Sequence, residues 1–170
     1  MKLAALLIAA LVVAGCGGSS RMTKPTVGPD GSLNVAIKVL KRGKQVIAVV
    51  PVTIDGKGPY TFAIDTGASQ SLVDTSVAKE LRVPTTGDKH PVAGITNVTN
   101  VRTLFVKHWS VGGVKLPATT IVETNLPFGN ADGGVQGLLG SDMLSQFDVI
   151  TIDYGRQMLR LHHRAVKSHG

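Results

Sequence analysis

The chain has 170 residues, of which 43% are hydrophobic, and this is enough length and apolar content for one domain with a buried core. Eighteen Lys and Arg against 11 Asp and Glu give a formal net charge of +7, but aromatic residues make up only 4%. The cations are scattered and lack stacking aromatics, which argues against a nucleic-acid partner. The positive charge is explained either by attraction to an anionic lipid surface or by solubility.

The N-terminus has the features of an export signal. Lys2 precedes an apolar run over residues 3–14 that is too short to span a bilayer comfortably. The run leads into Val-Ala-Gly-Cys ending at Cys16, the single cysteine, so an intrachain disulfide is excluded. These four residues resemble the bacterial lipobox, which implies cleavage before Cys16 and lipid attachment to its sulfur; an ordinary secretory signal is the alternative. We therefore predict a signal peptide at 1–15 and a lipoprotein of the cell envelope, anchored in a membrane and facing the periplasm or the exterior.

Residues 16–32 are rich in Gly, Ser and Pro, and this composition predicts a flexible tether. A domain at 33–162 follows, and residues 163–170 form a basic tail. Patterns of period two or of β-branched residues predict strands at 33–39, 46–54, 71–73, 104–106, 109–111, 114–122, 149–154 and 157–161. These elements predict an all-β, barrel-like domain with one or two short helices.

One of those helices is predicted at residues 74–81. Asp74 is placed to cap its N-terminus, and Pro84 follows its end. Val77 and Leu81 are four residues apart, so we expect both to face the core.

The most informative stretch is an apolar run, residues 61–64, that stops at Asp65 and breaks at Gly67. A carboxylate at the end of a buried run needs hydrogen bonds, which the Thr66 hydroxyl and the amides around Gly67 could supply. Gly67 also permits a tight turn and a close approach of a second chain or a substrate. Asp65 is therefore a candidate catalytic acid; the alternative is a turn-capping acid in a barrel that only binds peptides.

Residues 64–69, Ile-Asp-Thr-Gly-Ala-Ser, resemble the Asp-Thr-Gly signature of the aspartic proteases. Ala68 after the Gly matches the retropepsin-like branch, whose subunits carry one motif each and dimerise. The resemblance makes Asp65 catalytic and assigns support of its loop to Thr66, Gly67, Ala68 and Ser69.

A second stretch, residues 136–144, resembles the other element of that family: two large apolar residues, a Gly, and an acid two positions further on. The supporting residues of this second motif are Leu138, Leu139, Gly140 and Asp142. We expect Asp142 to cap the helix that follows Gly140. The resemblance extends from about Val46 to Leu161 and implies a closed, retropepsin-like β-barrel.

The resemblance also implies a mechanism and a set of partners. Two carboxylates sharing a proton would activate a water, so the second Asp65 must come from another copy of the chain. The substrate would be an extended peptide or protein, and no metal or organic cofactor is implied. A flap closing over it is expected within residues 91–100 at Val92, Ala93, Gly94 and Ile95, where an ordinary surface hairpin is the alternative.

Two departures from the retroviral pattern concern the dimer. Retroviral enzymes typically carry an acid at the position of Ser69 and an Arg at the position of Ser141, and this pair buttresses their dimer. Because both are Ser here, no charge is left unpaired, and we expect an assembly that is weaker or held differently.

Three functions are consistent with these observations: a membrane-tethered homodimeric aspartic endopeptidase, a silent module that captures a peptide by strand addition, and a structural envelope lipoprotein. A metal site at His162, His163 and His169 is disfavoured because no acidic or Cys partner accompanies them. We interpret these histidines as part of the solvated basic C-terminus.

Overall fold

The computed structural model describes residues 24–83, 85–90, 101–126 and 134–163. Cys16 and the predicted flap residues Val92, Ala93, Gly94 and Ile95 lie outside these ranges. Within them, no helix has the length and apolar character needed to cross a membrane.

The described residues form mostly strands, with two short helices. The strands are β1 (Thr26–Val27), β2 (Leu33–Ala36), β3 (Lys38–Arg42), β4 (Gln45–Ile54), β5 (Lys57–Ile64), β6 (Leu72–Asp74), β7 (Thr85–His90), β8 (Val101–Val106), β9 (Trp109–Val111), β10 (Val114–Leu116), β11 (Thr119–Thr124), β12 (Gly137–Leu139), β13 (Phe147–Asp153) and β14 (Met158–His163). The helices are α1 (Thr75–Leu81) and α2 (Ser141–Leu144). The predicted all-β class is confirmed.

Two sheets organise the chain. One has four strands in the order β1-β2-β14-β13, and the other has ten and curls into a half-barrel. In the larger sheet the order is β10-β9-β4-β5-β12-β6-β11-β8-β7, with β3 added to β4. Strand β12 lies between β5 and β6 and runs parallel to β5, with Leu139 opposite Ile64. This insertion brings the second motif directly beside the strand that leads to Asp65.

The strand predicted at 33–39 is broken at Ile37 into two strands of different sheets. β2 pairs with β14, whereas β3 pairs with β4. Ile37 is buried, and its amide donates to the carbonyl of Gln157 at 3.0 Å. Both strands have side chains that alternate with a period of two, so the sequence pattern does not show where the chain leaves one sheet and enters the other.

The strand predicted at 114–122 is also divided, here at Pro117. Proline has no amide hydrogen to donate to a neighbouring strand, and β10 ends one residue before it. The Pro117 carbonyl instead accepts a hydrogen bond from the Trp109 indole nitrogen at 2.8 Å. At the two ends of the domain, β1 lies within the segment predicted as a tether, and β14 extends through His163.

Side chains on opposite faces of β5 enter two different apolar clusters. Tyr60 and Phe62 belong to the main core, which also receives Val77 and Leu81 of α1 as predicted. Ala63 faces the other way and packs with Val49 and Val135 in a smaller cluster. The Asp65 amide continues the hydrogen-bond ladder between β5 and β12 by donating to Leu139, so strand alternation assigns Asp65 to the same side of the sheet as Ala63.

Helix α1 is capped as predicted by Asp74, whose side chain is 1% exposed. Its carboxylate accepts from the Ser76 amide at 2.8 Å, from the Ser76 hydroxyl and from the Leu126 amide at 2.8 Å. Burial acts to raise the pKa of Asp74, but the hydrogen bonds from Ser76 and Leu126, together with the Lys79 charge, lower it further than burial raises it. The net pKa is below the ordinary value, so the ionised form stabilises the fold.

A pH titration of stability tests this arrangement. A group whose pKa is depressed in the folded state stabilises fully above its unfolded pKa, and this contribution disappears as the pH falls through the folded value. We expect Asp74→Asn to cost about 1–2 kcal/mol of unfolding free energy at pH 7, since an amide nitrogen cannot accept these bonds. The variant should lose less stability than wild type below about pH 4. Denaturant unfolding at several pH values measures this, and parallel pH profiles would contradict it.

Candidate active site

Asp65 is the first residue after β5, and backbone bonds fix it on both sides. Its amide donates to the Leu139 carbonyl at 3.1 Å, and its own carbonyl accepts from the Ala68 amide at 3.2 Å. The Gly67 amide donates to Asp65 Oδ1 at 2.9 Å, and the Asp65 side chain is half-buried. A carboxylate is therefore held in a tight turn that remains open to solvent.

The donor to Asp65 differs in part from the prediction. The predicted amide bond from Gly67 is present, but the Thr66 side chain is exposed and makes no hydrogen bond to Asp65. The turn brings the Gly67 amide back toward the carboxylate and leaves the Thr66 side chain on the surface. Thr66 is thus placed beside the acid and faces outward.

Ser141 ties the two motifs together. Its amide and its hydroxyl both donate to the Ala68 carbonyl, at 2.8 and 3.0 Å. At the position where retroviral enzymes carry an Arg, this chain therefore has an internal link between the Asp65 turn and α2. Such a link restrains the turn within a single chain.

The prediction that Asp142 caps α2 is wrong. The N-cap is Gly140, which offers no side-chain bond, and Asp142 lies inside the first turn. Asp142 Oδ1 accepts from the buried Ser71 hydroxyl at 2.7 Å, and Ser71 Oγ accepts from the Gly140 amide at 3.0 Å. Asp142 thus supports the second motif by orienting Ser71. Sequence reasoning predicted Ser71 as the first residue of a strand and missed this role, because its partners Gly140 and Asp142 are distant in sequence.

Gly140 is required by a close approach of backbone. A Cβ at this position would lie 2.7 Å from the Gln70 carbonyl carbon, 2.8 Å from its oxygen and 2.9 Å from the Ala68 oxygen. Backbone atoms of the Asp65 turn cannot move away as a flexible side chain could. Gly137 is similar, since a Cβ there would lie 2.4 Å from the Phe62 ring. Both glycines of the second motif are therefore explained by packing against the first.

Gln136 is a further support that sequence reasoning did not assign. Its side-chain oxygen accepts a hydrogen bond from the Thr61 backbone amide at 3.0 Å, and its backbone amide donates to the Thr61 carbonyl at 2.7 Å. Its own carbonyl accepts from the Asp74 amide at 2.9 Å. One residue thereby connects β5, which leads to Asp65, with the end of β6.

An apolar pocket of about 510 Å³ opens on the Ala63 face of β5. Ala63, two residues before Asp65, and its cross-strand partner Leu138 both contribute to its wall. The complete lining is Gln45, Val46, Ile47, Ala63, Leu126, Val135 and Leu138. The pocket can accept a large apolar side chain.

The curled β-sheet, the half-buried Asp65 in an Asp-Thr-Gly turn and the apolar-apolar-Gly strand packed against it define a retropepsin-like aspartic protease domain. A family model described as aspartyl protease matches residues 50–143, which is more than half of the chain. The chain belongs to this family.

Solved structures with the same fold include a retropepsin-like aspartic protease from Rickettsia conorii, with 17% identity and a TM-score of 0.51. The match covers 84% of this chain and 97% of that protein, and at this identity it shows the fold. The retroviral protease-like domain of Ddi1 from Leishmania major is also similar, with 16% identity, a TM-score of 0.46 and coverage of 74% and 99%. No curated protein sequence matches the chain.

Proposed function

We propose that the chain is an aspartic endopeptidase that acts as a homodimer, with one Asp65 supplied by each copy. The observation that carries this proposal is the placement of Asp65: its carboxylate is oriented by the Gly67 amide, it is only half-buried, and it follows by two residues Ala63, which lines an apolar pocket. A merely structural acid would be expected to be enclosed by its partners, as Asp74 is.

The chemistry follows from two carboxylates that share one proton. The ionised Asp65 removes a proton from a bound water, and the water oxygen attacks the carbonyl carbon of the peptide bond. The protonated Asp65 gives its proton to the carbonyl oxygen, which forms a tetrahedral intermediate. The Asp65 that took the water proton then donates it to the amide nitrogen, the C–N bond breaks, and the other Asp65 takes a hydroxyl proton from the intermediate, so that the pair again holds one shared proton.

The need for a second copy is supported by what the neighbouring acids do. Asp142 is bonded to Ser71 and Asp74 caps α1, so these two carboxylates are occupied in structural roles. A dimer with two-fold symmetry places the same residue of both chains at the axis, which is the arrangement that a symmetric acid pair requires. The exposed Thr66 and Ser69, next to Asp65, would then face the other copy.

The proposed location is a membrane of the cell envelope, with Cys16 lipidated and residues 16–23 connecting it to the domain. This proposal is supported by the sequence around Cys16. The described chain begins at Lys24, where Pro25 lies against Gly113 of the turn between β9 and β10. The substrate would accordingly be an extended segment of a protein or peptide near the membrane surface.

Dilution of the protein tests the dimer. Because the acid pair exists only in the assembled state, we expect the specific activity of the full-length protein in detergent to fall when it is diluted below its dimerisation constant. Peptide-library cleavage gives the activity, and sedimentation velocity gives the assembly state over the same concentrations. Cleavage that is independent of dilution while the protein sediments as a monomer would contradict the proposal.

A further inference from the structure

Strand β3 and the turn that follows it, residues 38–44, form a positively charged ribbon next to the part of β4 that lines the apolar pocket. Strand β3 pairs with β4, and in the described chain it has no second neighbour in the sheet. Between Asp30 and Asp55 the sequence contains no acid, and its cations all lie on this ribbon: Lys38, Lys41, Arg42 and Lys44. The ribbon therefore presents an unbalanced positive charge.

Strand register assigns these cations to different faces. Lys38 is opposite Val49, and Val49 is opposite Ala63, so the three residues form one row across β3, β4 and β5. Paired residues point to the same face of a sheet, which places Lys38 on the face of the pocket and of Asp65. Alternation along β3 points Lys41 to the opposite face from Lys38, but its cross-strand partner Val46 also lines the pocket, so Lys41 is not remote from it.

Lys44 lies in the turn between β3 and β4, immediately before Gln45, which lines the pocket. Lys38 and Lys44 are both exposed, and neither forms an ion pair with an acid in the described part of the chain. Two unpaired ammonium groups thus border a pocket whose lining contains no charged residue.

We infer that the substrates of this site carry an apolar residue with acidic residues close to it in sequence. This inference rests on the proposed function and adds a substrate class to it. The apolar side chain would occupy the pocket, and Glu or Asp would approach Lys38 and Lys44. Two strand spacings separate Lys38 from Ala63, about 10 Å, and an extended peptide covers this distance in about three residues.

Binding to full-length Asp65→Asn protein tests the inference without requiring turnover. The probe is a fluorescein-labelled peptide with a central Leu-Leu pair and Glu on both sides, compared with the same peptide carrying Gln in place of Glu. We expect the Glu peptide to bind three- to tenfold more tightly at low salt, and the difference to shrink at 0.5 M NaCl because the pairs are exposed. Equal affinity at low salt would overturn the inference.

Charge reversal identifies the cations responsible. Lys38→Glu with Lys44→Glu, made in the Asp65→Asn protein, should abolish or reverse the preference for the Glu peptide. Lys107→Glu with Lys115→Glu makes the same change of four charges at exposed residues that line a different pocket, so it should keep most of the preference. An equal loss of preference in both variants would mean that net charge alone is responsible and would overturn the assignment.

The wild-type protein separates this inference from the proposed function. Cleavage of both peptides with the same kcat/KM would overturn the substrate class and leave the protease standing. Preferential binding of the Glu peptide without any cleavage would support the acidic preference and contradict the hydrolytic activity.

Discussion

Replacement of Asp65 by Asn is expected to lower kcat/KM for peptide cleavage by about a thousandfold or more, because the side chain loses its capacity to accept and return a proton. Asn has nearly the same size, and its carbonyl oxygen can still accept the bond from the Gly67 amide. The turn should therefore keep its geometry, and thermal unfolding should change little. Steady-state cleavage of a peptide substrate and circular dichroism on the same samples measure the two effects.

Asp55→Asn is the matched control for that variant. Asp55 lies in the turn between β4 and β5, at the other end of the strand that leads to Asp65, and it is exposed with a φ of 47°. Asn tolerates this left-handed backbone, so the replacement removes one negative charge without strain. We expect unchanged cleavage. Residual activity of Asp65→Asn comparable to that of Asp55→Asn would exclude Asp65 as the catalytic acid.

Gly140→Ala is expected to have the second largest effect. The added methyl group would meet backbone atoms of Gln70 and Ala68 at less than 3 Å. Separation of the two motif loops should cost about 1–3 kcal/mol of unfolding free energy, as overpacking of a core does. The added methyl group should also push Ala68 and thereby displace the Asp65 turn. This displacement should lower kcat by more than the loss of stability explains. Denaturant unfolding and cleavage below the unfolding transition measure the two losses.

Gly155→Ala controls for the general cost of replacing a glycine. Gly155 is exposed in the turn between β13 and β14, and a Cβ there would lie 3.5 Å from Asp153 Oδ1, an ordinary contact. We expect a change within about 0.5 kcal/mol and full activity. If Gly140→Ala behaved in the same way, the close approach of the two motifs would not be what positions Asp65.

The fold could be predicted in large part because its elements carry local signals. Alternation along β4, the Asp74 cap of α1 and the hairpin of β13 and β14 are all readable within short windows of sequence. The break at Ile37 could not be predicted, because the apolar and polar residues of β2 and β3 alternate in the same way and the two strands differ only in the strands with which they pair. Strand β1 is too short to be distinguished from the Gly- and Pro-rich composition around it.

The candidate site was predictable to the extent that its motifs are contiguous. Asp65, Gly67 and Gly140 follow from two short stretches, and the structure brings these stretches together. The roles of Ser71 and Gln136 depend on contacts between residues distant in sequence, which no local pattern reveals. The assignment of Asp142 as a cap failed for the same reason: its partner, Ser71, is supplied by another part of the chain.

The central claim is that two copies of the chain share one catalytic centre. Mixing wild-type protein with Asp65→Asn protein, under conditions that allow subunit exchange, tests it most directly. If a centre needs Asp65 from both chains, cleavage per total protein should follow the square of the wild-type fraction, so that an equal mixture keeps about one quarter of the activity. A linear dependence, with about half of the activity at an equal mixture, would mean that each chain works alone and would contradict the shared centre.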